Sequence, residues 1–492
     1  MSKLRSTTYL SLARFISVAL GLVAYRFYIQ WLGPSNWGLV AVATTLSQNI
    51  LLVADPALST GLANKLVEAT TQGDQDRFDR LVASHRFMML LTGFIGLLAH
   101  FVVAFTTNLN IPGGLNGSLL LFGSGGLSLF FYLSFQGLSA IMQSRSLFSA
   151  MALSTLVGTM ANLVVSVILT FGTKHPWGFM FGTMSGSLVM AIMGTIFLKK
   201  EGLLKLPIRY HRDAYRPIWT YGKTGIFLNS GTALGQSDRY AIKSTINDAA
   251  VGQYDLAARV PMTLLQMLPI PAIFQPEMAR AYFEGPKNFA ESFEKNMQSG
   301  LVLILGCLFL PSAFGAALLK FWLGPENVTP EMIWVIGLYS IDSTFAMYNW
   351  LGSNAFAASS KTHILIPFLL FAGGSVLLFS TPVAAAYGII GAAGLRVAIQ
   401  LAQFFFFDWA VYKFVCPEIH LARHMMRKTL IFMLALGVWG LGYAVSQVEW
   451  LKVNFIFQAP FLPALVYTFV FLCGRLKLVT LPAKLKRFFP GV

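Results

Sequence analysis

Five basic side chains, Arg14, Arg26, Lys223, Arg259 and Arg396, stand inside stretches that are otherwise apolar. A charge at the centre of a helix in hydrocarbon costs about 3 kcal/mol on insertion scales, so five facing lipid would cost on the order of 15 kcal/mol. That exceeds the net stability of most folds, so most of these groups must reach headgroups, pair with a carboxylate or face water. Arg14 and Lys223 lie about one to two turns from an inner membrane edge and Arg26 about one turn from an outer edge, within snorkelling reach. Arg396 falls near the middle of its run and has no such escape. Asp255 and Arg259 are spaced i, i+4, so they share a helix face and can form an ion pair. Asp342 stands mid-run without a basic neighbour in sequence, Arg396 being one structural partner for it, and Asp55 directly precedes Pro56. A carboxylate unpaired at such depth can titrate near neutral pH and suits coupling to an ion gradient. Asp55, Asp255 and Asp342 are the candidates for that role.

Uncharged polar residues are denser than a lipid-facing helix would carry. "TTLSQN" runs from Thr44 to Asn49, and Asn229, Gln236, Asn349, Asn354, Gln400 and Gln403 stand in other apolar runs. Interhelical hydrogen bonding is the ordinary use of such groups. Together with the cations, however, they describe a hydrated lining of amides and guanidinium groups, suited to an anionic head bearing hydroxyls such as a sugar phosphate. Gln48, Asn49, Asn229, Asn349 and Gln403 are the candidate sugar contacts.

The elements that must position these residues follow from composition. The 492 residues are 55% hydrophobic and 11% charged, mean hydropathy is +0.64, and apolar runs long enough to cross a bilayer recur throughout. The chain therefore reads as an all-α polytopic membrane protein with about 14 transmembrane helices. The first seven cover approximately 8–30, 37–58, 87–107, 117–141, 146–171, 176–198 and 218–240. The other seven cover 250–275, 297–321, 331–357, 363–380, 385–412, 429–446 and 454–472. Of 36 Lys and Arg, five fall on one side, Lys174, Arg239, Lys243, Lys320 and Lys452, five lie within spans, and the remainder lie on the other side. The rich side is cytoplasmic by the positive-inside rule, which puts both termini there. The net charge of +16 is thus spent on topology, and a nucleic-acid partner is not expected. Trp31, Trp37, Trp177, Trp322, Trp334 and Trp450 at outer edges, with Trp219 and Trp409 at inner ones, form the expected aromatic belts.

The basic connection 199–217 separates six spans from eight. It predicts an N-lobe over 1–198, an inter-lobe linker over 199–217, a C-lobe over 218–413, and two further helices with a basic tail over 414–492. Two six-span units starting on the same side are pseudo-symmetric about an axis along the membrane normal. A short repeat accompanies this: Arg26 precedes Gly38 as Arg239 precedes Gly252, and each glycine opens an amide-bearing helix that reaches a proline, Pro56 or Pro269. Cys307, Cys416 and Cys473 are scattered and odd in number, which fits neither a disulfide framework nor a metal cluster. The N-terminal run, interrupted by Arg14 and Arg26, reads as a retained first span. No HExxH, GxSxG or Walker loop occurs and the outer loops are short, so an enzyme is not expected.

Several stretches carry a family likeness. "RFYIQWLGPSNWGLVAVATTLSQ", Arg26 to Gln48, resembles the first two spans of bacterial polysaccharide flippases, with an arginine, Leu-Gly-Pro, and an aromatic-Gly pair opening the next helix. "EATTQGDQDRFDRLVASHRFMML", "SDRYAIKSTINDAAVGQYDLAARV" and "FWLGPEN" resemble the segments before span 3, around the turn into span 8, and after span 9. The chain is similar to O-antigen flippases of the Wzx type, in the multidrug/oligosaccharidyl-lipid/polysaccharide exporter superfamily with lipid II flippases and MATE drug exporters. That resemblance implies two six-helix lobes around a central cationic cavity, plus two C-terminal helices. It implies movement of undecaprenyl diphosphate-linked oligosaccharide from the cytoplasmic to the outer leaflet of the bacterial inner membrane, for cell-surface polysaccharide synthesis. Arg26 and Arg259 fall at family-like cationic positions, whereas Lys223, Arg396 and Arg14 rest on depth alone. Membrane lipids and polysaccharide polymerase machinery are the implied partners, and a membrane potential or an H+ or Na+ gradient is the implied drive, with no cofactor. A MATE-like exporter of cationic small molecules and a non-transporting membrane scaffold are the alternatives.

Overall fold

The computed structural model describes residues 3–54, 62, 65–66, 68–70, 72–106, 111–145, 147–267, 278, 280–359, 361–448, 458 and 460–479. The secondary structure of these residues is helical. The helices are α1 (Lys3–Ala54), α2 (Gln75–Thr106), α3 (Gly114–Ser144), α4 (Phe148–Thr173), α5 (Pro176–Lys200), α6 (Arg212–Leu234), α7 (Asp238–Thr245) and α8 (Asp248–Met267). After these come α9 (Pro286–Ile304), α10 (Gly315–Leu323), α11 (Pro330–Ala358), α12 (Ile366–Phe414), α13 (Leu421–Ser446) and α14 (Phe461–Arg475). A π turn over Leu305–Phe309 and a 3-10 turn over Leu310–Phe314 join α9 to α10, so the pair forms one interrupted rod.

Among the described residues, eight stretches are long and apolar enough to cross a membrane: Leu20–Val53, α2 to α5, Pro286–Leu323, Thr362–Phe414 and α13, with α14 a shorter apolar helix. The protein is an integral membrane protein. Helices α6, α8 and α11 fall outside that group, and they carry Lys223, Asp255, Arg259, Asp342 and Asn349. The polar residues that single these helices out are what lowers their hydropathy.

Where two spans and a loop were expected at the start of the chain, α1 runs through with one break. Gly33 at φ 71°, ψ 168° is the single non-helical residue, and Pro34 begins the next helical segment. Only glycine adopts that backbone without strain, and proline at a first helical position costs no hydrogen bond. Helix α12 likewise merges two expected spans across Gly388, at φ 64°.

The chain forms two compact units, Met1–Gly252 with Leu369–Leu377, and Gln253–Phe368 with Leu378–Val492. In the first unit Phe78, Leu81, Leu133, Met142, Leu198, Tyr215 and Ile218 share one apolar core. The connection 199–217 is docked on that core: Leu203 and Leu204 pack against it, and Ser84 Oγ accepts the His211 N–H at 2.8 Å. Ahead of α2, Asp74 accepts the Arg77 N–H at 2.9 Å while the Arg77 guanidinium reaches Glu68 at 3.0 Å. Hydrogen bonds from Lys65 and Arg77 hold the Glu68 carboxyl below the usual carboxylate range.

The two glycines of the sequence repeat meet in this unit. A methyl group on Gly38 would stand 1.8 Å from the Asp248 carbonyl oxygen, and one on Gly252 would stand 2.0 Å from the Pro34 carbonyl oxygen. Each glycine therefore faces the carbonyl four residues before the other, a reciprocal backbone contact no larger residue permits. Gly38→Ala or Gly252→Ala should force the helices apart and cost on the order of 1–3 kcal/mol, read as a lower unfolding midpoint in detergent. Gly21→Ala, which meets nothing within 4 Å, should leave the midpoint in place.

Candidate functional site

Helix α8 carries Asp255 and Arg259 one turn apart, and the pair closes at 2.8 Å. The adjoining Tyr254 ring meets Tyr339 of α11 edge-on, with centroids 5.3 Å apart. One turn along α11, Asp342 bonds Arg396 of α12 at 3.2 Å, and the Arg396 guanidinium lies 5.2 Å from the Tyr339 ring centroid. Three helices of the second unit thus bring two arginines, two carboxylates and two tyrosines into one region. In both pairs the carboxylate is the buried member: Asp255 is 2% exposed against 19% for Arg259, and Asp342 is 5% exposed against 16% for Arg396. The carboxylates offset the cost of bringing the arginines into the apolar interior and fix their direction, while the guanidinium groups keep access. A planar guanidinium carries five N–H donors in a fixed fork.

Farther along the α11–α12 interface, Asn349 Nδ2 donates to Gln400 at 3.0 Å and to Gln403 at 3.5 Å. Two of the candidate sugar contacts are therefore each other's partners.

The first unit treats its candidates differently. Arg26 is exposed on α1, next to a cluster in which Tyr25, Tyr28 and Trp37 pack on one another and on Phe179. Lys223 is exposed on α6, Gln48 is exposed on α1, and Asn229 is half-buried. Asn49 lines a cavity of about 760 Å³ whose walls are mostly apolar, with Thr92, Ser230, Ser237 and Tyr240 as further polar members. Asp55 and the Arg14 side chain lie outside the described residues, although the Arg14 backbone belongs to α1. Arg239, counted above among the cations of the outer side, is 3% exposed and sits beside Asp238 at 3.8 Å.

Sequence reasoning passed over the most deeply buried charges of the second unit. Asp408 on α12 is contacted by Lys428 at 2.6 Å, Tyr348 at 2.9 Å and His424 at 3.2 Å. None of these four is more than 1% exposed at its side chain or overall. A signal was present: Asp408 interrupts an aromatic run, following Phe404 to Phe407 and preceding Trp409, and His424 and Lys428 are spaced i, i+4 on α13.

The cysteines are free thiols. Cys416, between α12 and α13, donates to the Pro286 carbonyl and the Glu418 carboxylate, and burial pushes its thiol up to about 11. Among the described residues no group of three or more His, Cys, Asp or Glu is arranged to hold a metal ion.

Comparison with solved structures defines the class. The lipid II flippase MurJ in an inward closed conformation matches with a TM-score of 0.69 at 11% identity, covering 95% of this chain and 98% of that one. An inward-facing MATE family multidrug resistance transporter of the MOP superfamily matches at 0.64 and 13% identity, covering 82% of this chain and 98% of that one. A MOP superfamily transporter from Pyrococcus furiosus, described as having a binding pocket of reversed polarity, matches at 0.55 and 13% identity, covering 84% and 96%. The fold is that of the MOP superfamily. A sequence-family model described as polysaccharide biosynthesis protein matches residues 30–326, and the chain belongs to that family. No curated protein sequence matches it.

The Asp342–Arg396 pair yields a direct test. Asp342→Ala leaves a guanidinium without its carboxylate in a mostly buried place and should cost about 3 kcal/mol. Adding Arg396→Ala should recover part of that loss. Unfolding of the two single variants and the double variant in detergent checks the coupling.

Proposed function

We propose that this protein is a flippase that moves polyprenyl diphosphate-linked oligosaccharide from the cytoplasmic to the outer leaflet of the bacterial inner membrane. The carrying observation is the pair of carboxylate-held arginines, Arg259 and Arg396, whose partners are buried while their side chains retain 19% and 16% exposure. Such groups suit a diphosphate, which accepts bidentate hydrogen bonds from guanidinium. Membership of the polysaccharide biosynthesis family supports an oligosaccharide cargo, and similarity to the lipid II flippase supports a lipid-linked one.

On this reading the chain crosses the membrane fourteen times with both termini in the cytoplasm. The head group is exposed to each side in turn while the polyprenyl tail stays in the bilayer. An inside-negative potential favours outward movement of the anion by about 2.3 kcal/mol per charge per 100 mV. An ion gradient resets the carrier, and polymerase machinery receives the product. A MATE-like exporter of cations is the weaker reading, because here the accessible member of each pair is the cation.

Transbilayer movement of a fluorescent polyprenyl diphosphate oligosaccharide in proteoliposomes tests the proposal. Wild-type protein should move it, and Arg259→Ala and Arg396→Ala should each slow it about 10- to 100-fold, the loss of a charged hydrogen bond worth about 1.5–3 kcal/mol. Both variants should still elute as folded protein. Wild-type rates in both variants would return the two arginines to a structural role.

A further inference from the structure

The connection from α5 to α6 starts and ends at one level of the first unit. Lys199 and Lys200 close α5, and the chain turns there through two backbone hydrogen bonds, from the Gly202 N–H to the Lys199 carbonyl at 3.0 Å and from the Leu203 N–H to the Leu198 carbonyl at 2.9 Å. That pairing stops a helix with a glycine at positive φ, and Gly202 stands at φ 65°. Leu203 and Leu204 then pack on the apolar core. At the far end Ser84 accepts the His211 N–H, and the Tyr210 ring meets that of Phe87, with centroids 6.1 Å apart. Phe87 is where the apolar run of α2 begins. The segment is pinned at both ends and near its start, so it runs along the rim of the apolar layer instead of looping away from it.

Along that rim the chain shows charge and large apolar side chains together. Lys199, Lys200, Lys205, Arg209 and Arg212 are exposed, and among the described residues none of the five forms an ion pair, although Glu201 and Asp213 share the stretch. Ile208 and Tyr210 are each 42% exposed, and Trp219, about two turns into α6, is 48% exposed. The connection ahead of α2 is built differently. There Glu68 holds Lys65 and Arg77, and Asp76 holds Arg80. The positive-inside rule counts Lys and Arg and gives little weight to neighbouring carboxylates, so both connections serve topology equally well. Topology therefore accounts for the five cations being present, but not for their being left open.

We propose that residues 199–212 form a docking surface for the anionic phospholipid headgroups of the cytoplasmic leaflet. Juxtamembrane clusters of about four to eight Lys and Arg are drawn to such a leaflet. Tyr and Trp favour the headgroup level, and long basic side chains reach phosphates while their stems lie on apolar surface. The five cations are strung along an exposed segment, which suits a plane of many headgroups better than one compact anion. Because the backbone is already docked on the first unit, little freedom is lost when the lipids bind. The inference takes from the transport reading only the sidedness of the chain, and it holds whatever the cargo is.

Unfolding of the full-length protein in detergent, with rising amounts of phosphatidylglycerol or phosphatidylcholine, tests the surface without any transport assay. Phosphatidylglycerol should raise the unfolding midpoint where phosphatidylcholine does not, and about 1 M salt should remove the difference. Lys205→Gln, Arg209→Gln and Arg212→Gln should each move the phosphatidylglycerol dependence to about fivefold higher lipid, and the triple variant to about 100-fold higher. Arg209→Lys with Arg212→Lys should keep the response, since the surface reads charge, and so should Arg77→Gln, whose charge Glu68 already balances. Equal midpoints with the two lipids, or a triple variant that responds as wild type does, overturns the proposal. A response that inorganic phosphate reproduces at the same concentration assigns the cations to a soluble anion and overturns it as well. In bilayers containing phosphatidylglycerol, a spin label attached through Ile208→Cys, with Cys307→Ala to remove the exposed thiol, should meet dissolved oxygen more readily than a water-soluble nickel chelate. The reverse order places the segment in water and rejects the surface.

Discussion

The cost of placing charge in an apolar interior governs this molecule. Each cation there must be held by something, and the second unit shows how: Asp255 holds Arg259, Asp342 holds Arg396, and Asp408 holds Lys428. Taking two charges out of water costs several kcal/mol per ion, so a pair survives only when its geometry is good and its remaining donors are used. Lys428 meets that condition with the Phe404 carbonyl and ring, and the Arg396 guanidinium also faces the Tyr339 ring. The partners come from α8, α11, α12 and α13.

The three pairs differ in access, and access separates their roles. Arg259 and Arg396 keep part of their surface open while their carboxylates are covered. Lys428 and His424 are closed off completely, so no anion reaches them. In the first unit the constraint is steric instead: the reciprocal contact of Gly38 and Gly252 brings backbone against backbone at the start of two helices. That contact uses no polar side chain, and it sits beside Pro34, where Gly33 turns the chain.

Helical class and membrane placement were legible because they depend on additive properties. Long apolar runs must form helices in hydrocarbon, since no other open structure satisfies the backbone there. The Asp255–Arg259 pair was legible because a spacing of i, i+4 is a local geometric fact. The breaks at Gly33 and Gly388 were harder: a connection in the hydropathy pattern can be a loop or a single residue at positive φ, and composition does not separate the two. The burial of Arg239 was not legible either, because position near a span end does not say that the connection forms the short helix α7 and packs inward.

By itself the sequence determined what each residue must avoid. Charges must avoid lipid, backbone must stay hydrogen-bonded, and glycine stands where a side chain would collide. Only the tertiary structure decided who partners whom. Asp342 and Arg396 are 54 positions apart, and Tyr348 and His424 are 76 apart. No local periodicity links such distances; the pairing follows from which helices lie side by side. That choice is made by the summed packing of many apolar surfaces, so a polar residue's role in this protein depends on neighbours that its own stretch of sequence does not contain.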